Sequence, residues 1–217
     1  MKTLKGRIRF VGRYISEPYW PERAQLIDID KQSGVSRARS EASRVKALDA
    51  HLKKLGMTLD DLERLKAQAE RPFWTVADLP QQQINGHDIS EIIIPGELWL
   101  ACFAHGCDVA PAAVRIAKPE NVRSVIQVDV VYTGRLGPDG TWTRAVVPKK
   151  DGKALSNQRG MRTSFYIANV EAAIVIHYSE TVVTEKRLRD FVEYVGREVG
   201  IGASRKMNCG RFTCLWD

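Results

Sequence analysis

The chain has 217 residues, 44% of them hydrophobic and 27% charged, which is enough apolar material to bury a real core and excludes a chain that stays disordered throughout. Its formal net charge is +7, and the positive residues fall in clusters of the kind that phosphate-binding surfaces carry. No run approaches the roughly 18 uninterrupted apolar residues of a membrane span, and the first ten residues lack the apolar centre of a signal peptide, so the expected compartment is the cytoplasm, with no membrane partner.

From the start, Leu4, Ile8, Phe10 and Val11 alternate crudely with Lys5, Arg7, Arg9 and Arg13, which predicts a half-buried opening strand with a cationic polar face. The segment Ile15 to Gly34 holds two prolines and an acidic patch at Asp28 and Asp30, and reads as an irregular loop. Val45, Leu48, Leu52 and Leu55 are spaced by three and four residues, the signature of an amphipathic helix over Ser40 to Leu55, ended by Gly56. A second helix begins at Thr58 as N-cap, with Asp60 and Asp61 in its first turn and Leu59, Leu62 and Leu65 on its apolar side. This helical hairpin, about 40–70, is expected to be an insertion.

Ile89 to Ile94 predicts a short strand that stops at Pro95-Gly96 and leads into a short helix from Glu97 to Ala104. Val122 to Thr133 reads as one strong strand, Pro138-Asp139-Gly140 as a turn, and Trp142 to Val147 as the returning arm of a hairpin. Val170 to Tyr178 predicts a strand and Thr184 to Val199 a helix with Leu188, Phe191, Val192, Val195 and Val199 inward. Arg211 to Trp216 closes as a strand, and strand, helix, strand at this spacing is half of a ferredoxin-like fold. The expected class is α+β: a single domain over 1–217 with a ferredoxin-like or RRM-like core, the helical insertion, and a protruding basic hairpin or loop at about 134–166.

The four cysteines form two pairs, Cys102 with Cys107 and Cys209 with Cys214, each with four residues between its members, unlike the Cys-x-x-Cys spacing of zinc or redox sites. They read as buried small apolar residues. Cys102, His105 and Cys107 could ligate a metal but offer no evident fourth ligand, and no cofactor is expected.

Two segments carry the candidate chemistry. Gly200, Gly202 and Gly210 join the last helix to the last strand, where glycine lets a backbone approach a ligand closely, and Arg205, Lys206 and Arg211 add charge beside the amides, a combination suited to a phosphodiester. A Walker loop is excluded because no Gly-Lys-Ser/Thr follows, and a dinucleotide fingerprint fails because the glycines follow a helix and precede a strand. From Arg144 to Arg162 six basic residues, among them Lys149, Lys150, Arg159 and Arg162, face only Asp151. Trp142, Phe165 and Tyr166 offer stacking faces among them.

The Gly-hydrophobic-Gly run at Gly200-Ile201-Gly202, the basic residues after it and Gly210-Arg211-Phe212 resemble the glycine-rich C-terminal signature of the CRISPR-associated RAMP superfamily. Ile94-Pro95-Gly96-Glu97-Leu98 resembles the turn through which a strand enters a helix in backbone subunits of that superfamily, and small phage-encoded RAMP-like proteins are similar at both places. The chain departs from the family in the acidic and apolar Glu97-Leu98-Trp99-Leu100 and in the seven residues between Gly202 and Gly210.

The resemblance implies a ribonucleoprotein subunit that wraps a guide RNA beside other copies of itself and other effector subunits, holding the strand by its backbone without reading sequence. Arg205, Lys206 and Arg211 are the expected phosphate contacts, joined by Arg7 and Arg9 from the opening strand and by Lys149, Lys150, Arg159 and Arg162 from the central segment. The sequence does not separate single-stranded RNA from single-stranded DNA, and a phage-type interaction or assembly protein on the same fold is the competing class. For RNA cleavage the chain offers His51, His87, His105 and His177, of which His87 and His105 are the exposed candidates, and the loop carboxylates Asp28 and Asp30; none forms a recognisable catalytic set, and a binding protein is expected rather than an enzyme.

Overall fold

Strand β1 (Lys2–Val11) alternates as its sequence dictates, burying Leu4, Gly6, Ile8 and Phe10 and turning Lys5, Arg7 and Arg9 outward. The structure is a computed structural model that describes residues 1–16, 18, 20–33, 40–80, 86–146, 149–150, 153–154 and 160–217. It divides into two compact units, one of Met1–Glu17 with Phe73–Asp217 and one of Pro18–Pro72.

In the larger unit β1 is followed by β2 (Arg13–Tyr14). The smaller unit is helical: α1 (Pro21–Ser33), α2 (Glu41–Leu55) and α3 (Leu59–Ala69). Ile29, Leu52 and Leu62 form its buried centre, with Leu26, Leu48, Met57 and Leu65 packed around them. Helix α1 overturns the loop expected over Ile15 to Gly34. Pro21 sits at the first helical position, where its fixed φ starts a helix rather than breaking one. Asp28 and Asp30 accordingly lie exposed on a helix, not in a loop. Val45, Leu55 and Leu59, expected on the inward faces, are exposed instead.

Thr58 is the N-cap that the sequence predicts, and Ser40 caps α2 in the same way. Ser40 accepts from the Ser43 N–H, and Thr58 forms a capping box in which its hydroxyl accepts from the Asp61 N–H at 3.1 Å while the Asp61 carboxylate takes the Thr58 N–H at 2.9 Å. Thr58→Ala is expected to lower stability by about 1 kcal/mol, read as a shift of the urea midpoint followed by helical circular dichroism. An unchanged midpoint is the opposing result.

The larger unit continues with β3 (Trp74–Thr75), β4 (Ile92–Ile94), α4 (Gly96–Val109), α5 (Val122–Val125), β5 (Ile126–Val128), β6 (Val131–Tyr132), β7 (Gly140–Val146), β8 (Lys149–Lys150), β9 (Lys153–Ala154), β10 (Gly160–Ala168), β11 (Glu171–Tyr178), α6 (Glu185–Tyr194) and β12 (Arg211–Trp216). The single strand expected over Val122 to Thr133 is divided. Val122 and Val125 are buried on a helical turn, β5 pairs with β11, and β6 pairs with β4 in another sheet. The arm at Trp142 pairs with β10, not with that segment. The last helix turns into one π-helical turn, Val195–Val199, before Gly200.

The main sheet has the order β12-β1-β11-β5 with every neighbouring pair antiparallel. Its parts run β1, α4, β5, β11, α6, β12 along the chain, so the strands lie in the spatial order fourth, first, third, second. One face buries Leu4, Ile8, Ile174, Ile176 and Phe212 in a core with Trp99 and Phe103 of α4 and Leu188 and Phe191 of α6; Trp99 meets Phe212 edge-on at 5.2 Å. The other face carries Lys5, Arg7, Arg9, Glu171, Ala173, Thr213 and Leu215 toward solvent. The architecture is α+β, completed by the sheets β2-β10-β7 and β3-β4-β6 and the ribbon β8-β9. Among the described residues no helix is long and apolar enough to cross a membrane.

Candidate nucleic-acid interface

The glycine-rich segment is folded onto its own chain. The Ile201 N–H donates to the Gly210 carbonyl at 2.9 Å, the Ala203 N–H to Ile15 at 2.8 Å, and the Gly210 N–H to Arg13 at 2.7 Å, while the Cys102 thiol caps the Gly200 carbonyl at 3.1 Å. A Cβ on Gly202 would lie 2.4 Å from the Ile15 oxygen, and one on Gly210 only 1.8 Å from the Ile201 oxygen. The close approach that these glycines permit is therefore to β2 and to the loop itself, not to a ligand. What the loop presents outward is its side chains, on a short 3-10 turn at Arg205–Met207 between Ser204 and Asn208, both at positive φ.

Those side chains meet two arginines from elsewhere. Arg13 of β2 places its guanidinium 5.1 Å from the Tyr166 ring and 5.7 Å from the Trp142 ring, and Arg144 lies 5.8 Å from Trp142 and touches the Met207 sulfur at 3.8 Å. Arg144 Nε, Arg211 Nη1 and Ser204 Oγ are buried atoms without a hydrogen-bond partner among the described residues. None of Arg13, Arg144, Arg205, Lys206 and Arg211 makes an ion pair among the described residues. Burial pushes the Cys102 thiol up to about 12, with Arg205 and Arg211 close enough to oppose the rise, and burial likewise raises Cys209 against the pull of Arg13 and Arg144. Two guanidinium groups, Arg13 and Arg144, thus gather at Trp142, and Arg144 touches the loop that carries Arg205, while Arg144 Nε and Arg211 Nη1 are left over as buried donors of the kind an oxyanion completes.

The other expected contacts are distributed. Arg211 stands opposite Val11, and Thr213 opposite Arg9, so Arg211 shares the outward sheet face with Arg9 and Arg7. Arg7 pairs with Glu171 at 3.8 Å in an exposed contact. Arg162 is the cross-strand partner of Arg144 on the β7–β10 ribbon. Trp142, Arg144 and Tyr166 share one face of that ribbon, while Phe165 falls on the other and is exposed. Lys149 and Lys150 form β8 beyond the end of the ribbon, and Arg159 lies outside the described residues. Sequence reasoning passes over Arg13, which sits in a strand far from the glycine segment, and counts Arg144 among the cations around Trp142 without bringing it to that segment. The retrievable signal is the pattern Trp142-x-Arg144, which puts an aromatic and a cation on one face of a strand.

The outward residues of the main sheet include no Phe, Tyr or Trp to stack bases as in an RRM; apart from Gln127 and His177 they are charged, small or aliphatic. Two of the four histidines are held in place. His177 bonds Thr3 through Nδ1 at 3.1 Å and Asp129 through Nε2 at 3.2 Å, and His87 bonds Glu91 at 2.7 Å; His105 is exposed on α4. Cys102, Cys107 and Cys209 are buried and Cys214 half-buried, all as free thiols. Among the described residues no three His, Cys, Asp or Glu side chains are placed to hold a metal ion. The Ile94-Pro95-Gly96 turn seats α4 against the Val128 carbonyl of β5, and Glu97 pairs with Arg123 at 2.8 Å.

No family model matches the chain, and no curated protein matches it. Among solved structures it is similar to a chain in the cryo-EM structure of the Type III-B Cmr-beta bound to cognate target RNA, with a TM-score of 0.46 and 11% identity over 98% of this chain. It is also similar to the crystal structure of Cmr6 from Pyrococcus furiosus, with a TM-score of 0.32 and 10% identity over 98% of this chain and 97% of that one. The chain spans 58% of the length of the Cmr-beta chain that it matches.

Proposed function

We propose that the protein binds a single-stranded nucleic acid, RNA in the first place, by its phosphate backbone, as a RAMP-type subunit of a CRISPR-type ribonucleoprotein. The observation that carries this is the placing of Arg13 and Arg144 beside Trp142 and Tyr166, with Arg144 against Met207 of the loop that carries Arg205 and with Arg144 Nε and Arg211 Nη1 buried and unpaired among the described residues. A phosphodiester satisfies the donors, and the rings give an unpaired base a surface to stack on. The ferredoxin-like reading of the core is supported by the β-α-β-β-α-β order and by the spatial order fourth, first, third, second of the four strands. In this reading the chain is one RAMP-like domain, the segment Pro18–Pro72 is its helical insertion, and the β7–β10 ribbon is the protruding basic hairpin. Lys206, Arg162, Arg7 and Arg9 extend the track, with Lys149, Lys150 and Arg159 assigned to it from their sequence alone. The partners are a guide strand, further copies of the chain and other effector subunits, and no catalytic role is assigned.

The test is the anisotropy of a labelled 20-nucleotide single strand titrated at several salt concentrations, beside a duplex of the same sequence. Tight binding of the single strand is expected, with a log–log salt slope of about −3, which corresponds to four phosphate contacts at about 0.7 each. Absence of binding at low salt would return the chain to the class of protein-docking assembly factors.

A further inference from the structure

Beside the cationic strand lies a cavity of opposite character. It has a volume of about 760 Å³ and is lined by Gln127, Asp129, Tyr132, Glu171 and Ala173 together with the pair His87 and Glu91. That volume lies within the ~300–1,000 Å³ range of small-molecule sites. Arg7 faces Ala173 and Arg9 faces Glu171 across β1 and β11, so the cationic row of β1 borders the cavity.

Its walls are built with more care than an incidental dent requires. Glu91 is only 7% exposed, and a buried carboxylate is costly to keep. One of its oxygens holds His87 Nδ1 at 2.7 Å and the other takes the Gly134 N–H at 2.7 Å. The result is an imidazole fixed in a flat stack on Tyr132, with centroids 3.8 Å apart and planes at 9°. Asp129 is oriented in the same way. His177 Nε2 lies 3.2 Å from both its oxygens, and the Thr3 hydroxyl bonds the other ring nitrogen, so that the carboxylate draws the imidazole proton to Nε2 and Thr3 donates to Nδ1. Asp129, Glu171 and Glu91 bring three carboxylates to the lining in a chain of net charge +7, Glu171 being paired with Arg7 at 3.8 Å. A lining so rich in acceptors favours an uncharged planar group rich in donors.

We propose that this cavity takes an unpaired guanine base, stacked on the His87–Tyr132 pair and held by its two adjacent edge donors on the carboxylate of Asp129. Carboxylates are acceptors only, and among the common bases guanine alone presents two neighbouring N–H donors on one edge. Uracil and adenine offer one donor flanked by acceptors, and cytosine one amino group. The inference rests on the strand-binding reading only for the delivery of the base, with Arg7 and Arg9 on the adjoining phosphates; it adds base selection to a contact otherwise blind to sequence.

The experiment has two arms. Guanosine, which carries no phosphate, is titrated into the full chain while the ring resonances of His87 and Tyr132 are followed, with uridine as the reference. Guanosine is expected to shift both and uridine neither; unmoved rings overturn the proposal. In the second arm a uridine 12-mer is compared with the same strand carrying one central guanosine. The guanosine strand is expected to bind about tenfold more tightly, as one bidentate base contact allows, and Asp129→Asn closes that gap. Equal affinities for the wild-type chain, or a preference that survives Asp129→Asn, count against it. Guanosine binding without binding of either strand keeps the cavity and removes the backbone reading.

Discussion

Gly210→Ala is expected to destabilise the protein by about 3–5 kcal/mol, a large share of the ~5–15 kcal/mol that holds a typical domain. Gly210 has φ +71, a left-handed conformation that costs an L-residue about 1–2 kcal/mol. The added Cβ would also stand 1.8 Å from the Ile201 carbonyl oxygen, which is backbone and cannot swing away. Relieving that overlap opens the pairing of the Ile201 N–H with the Gly210 carbonyl and strains that of the Gly210 N–H with Arg13, each worth about 1 kcal/mol. Gly134→Ala is the control. Its φ is +68, yet among the described residues nothing lies within 4 Å of its Cβ position, so the conformational cost of about 1–2 kcal/mol stands alone. Urea unfolding of the two variants separates crowding from conformation, and equal losses would show that the glycine loop does not pack as described.

The parts of the fold that were legible are those whose signals are local. Strand β12 has the limits expected, Arg211–Trp216, and α2 and α3 begin directly after Ser40 and Thr58 because a cap needs only a hydroxyl and a free amide three residues on. What was illegible depended on partners distant in sequence. Leu26 and Ile29 of α1 gain a buried side only against α2 and α3, so two prolines and an acidic patch outweighed them in a local reading. Val122 to Thr133 is rich in β-branched residues that suit a strand, but Val122 and Val125 both reach the core from a helical turn, and the chain changes sheets after Val128. The partner of Trp142 is β10, a choice of register that composition does not encode.

The site divides along the same line. Arg205 and Arg211 stand out because charge beside glycine is a short-range pattern, whereas the reason for the glycines is not. Gly202 is required by Ile15 and Gly210 by Ile201, contacts that arise only once the last loop has closed on β2. Arg13 was visible as one more cation in a basic strand. Its place between Trp142 and Tyr166 depends on the pairing of β2 with the end of β10.

Arg144→Met combined with Arg211→Met is expected to weaken single-strand binding about 100-fold, near 2.7 kcal/mol, and to flatten the salt slope by about 1.4, the share of two phosphate contacts on a single strand. The loss should be the same for every sequence tested, since these groups meet the backbone and not the bases. Methionine keeps the apolar stem and removes the charge together with Arg144 Nε and Arg211 Nη1, the two donors buried without partners among the described residues. In the free protein an unsatisfied buried donor costs about 1–3 kcal/mol, so the double variant should unfold at the same urea concentration as the parent or a higher one. Arg123→Ala removes a cation already paired with Glu97 at 2.8 Å and should change affinity less than twofold. Affinity lost while stability holds is the signature of side chains kept for a ligand. Stability lost in step with affinity would instead make the two arginines part of the scaffold.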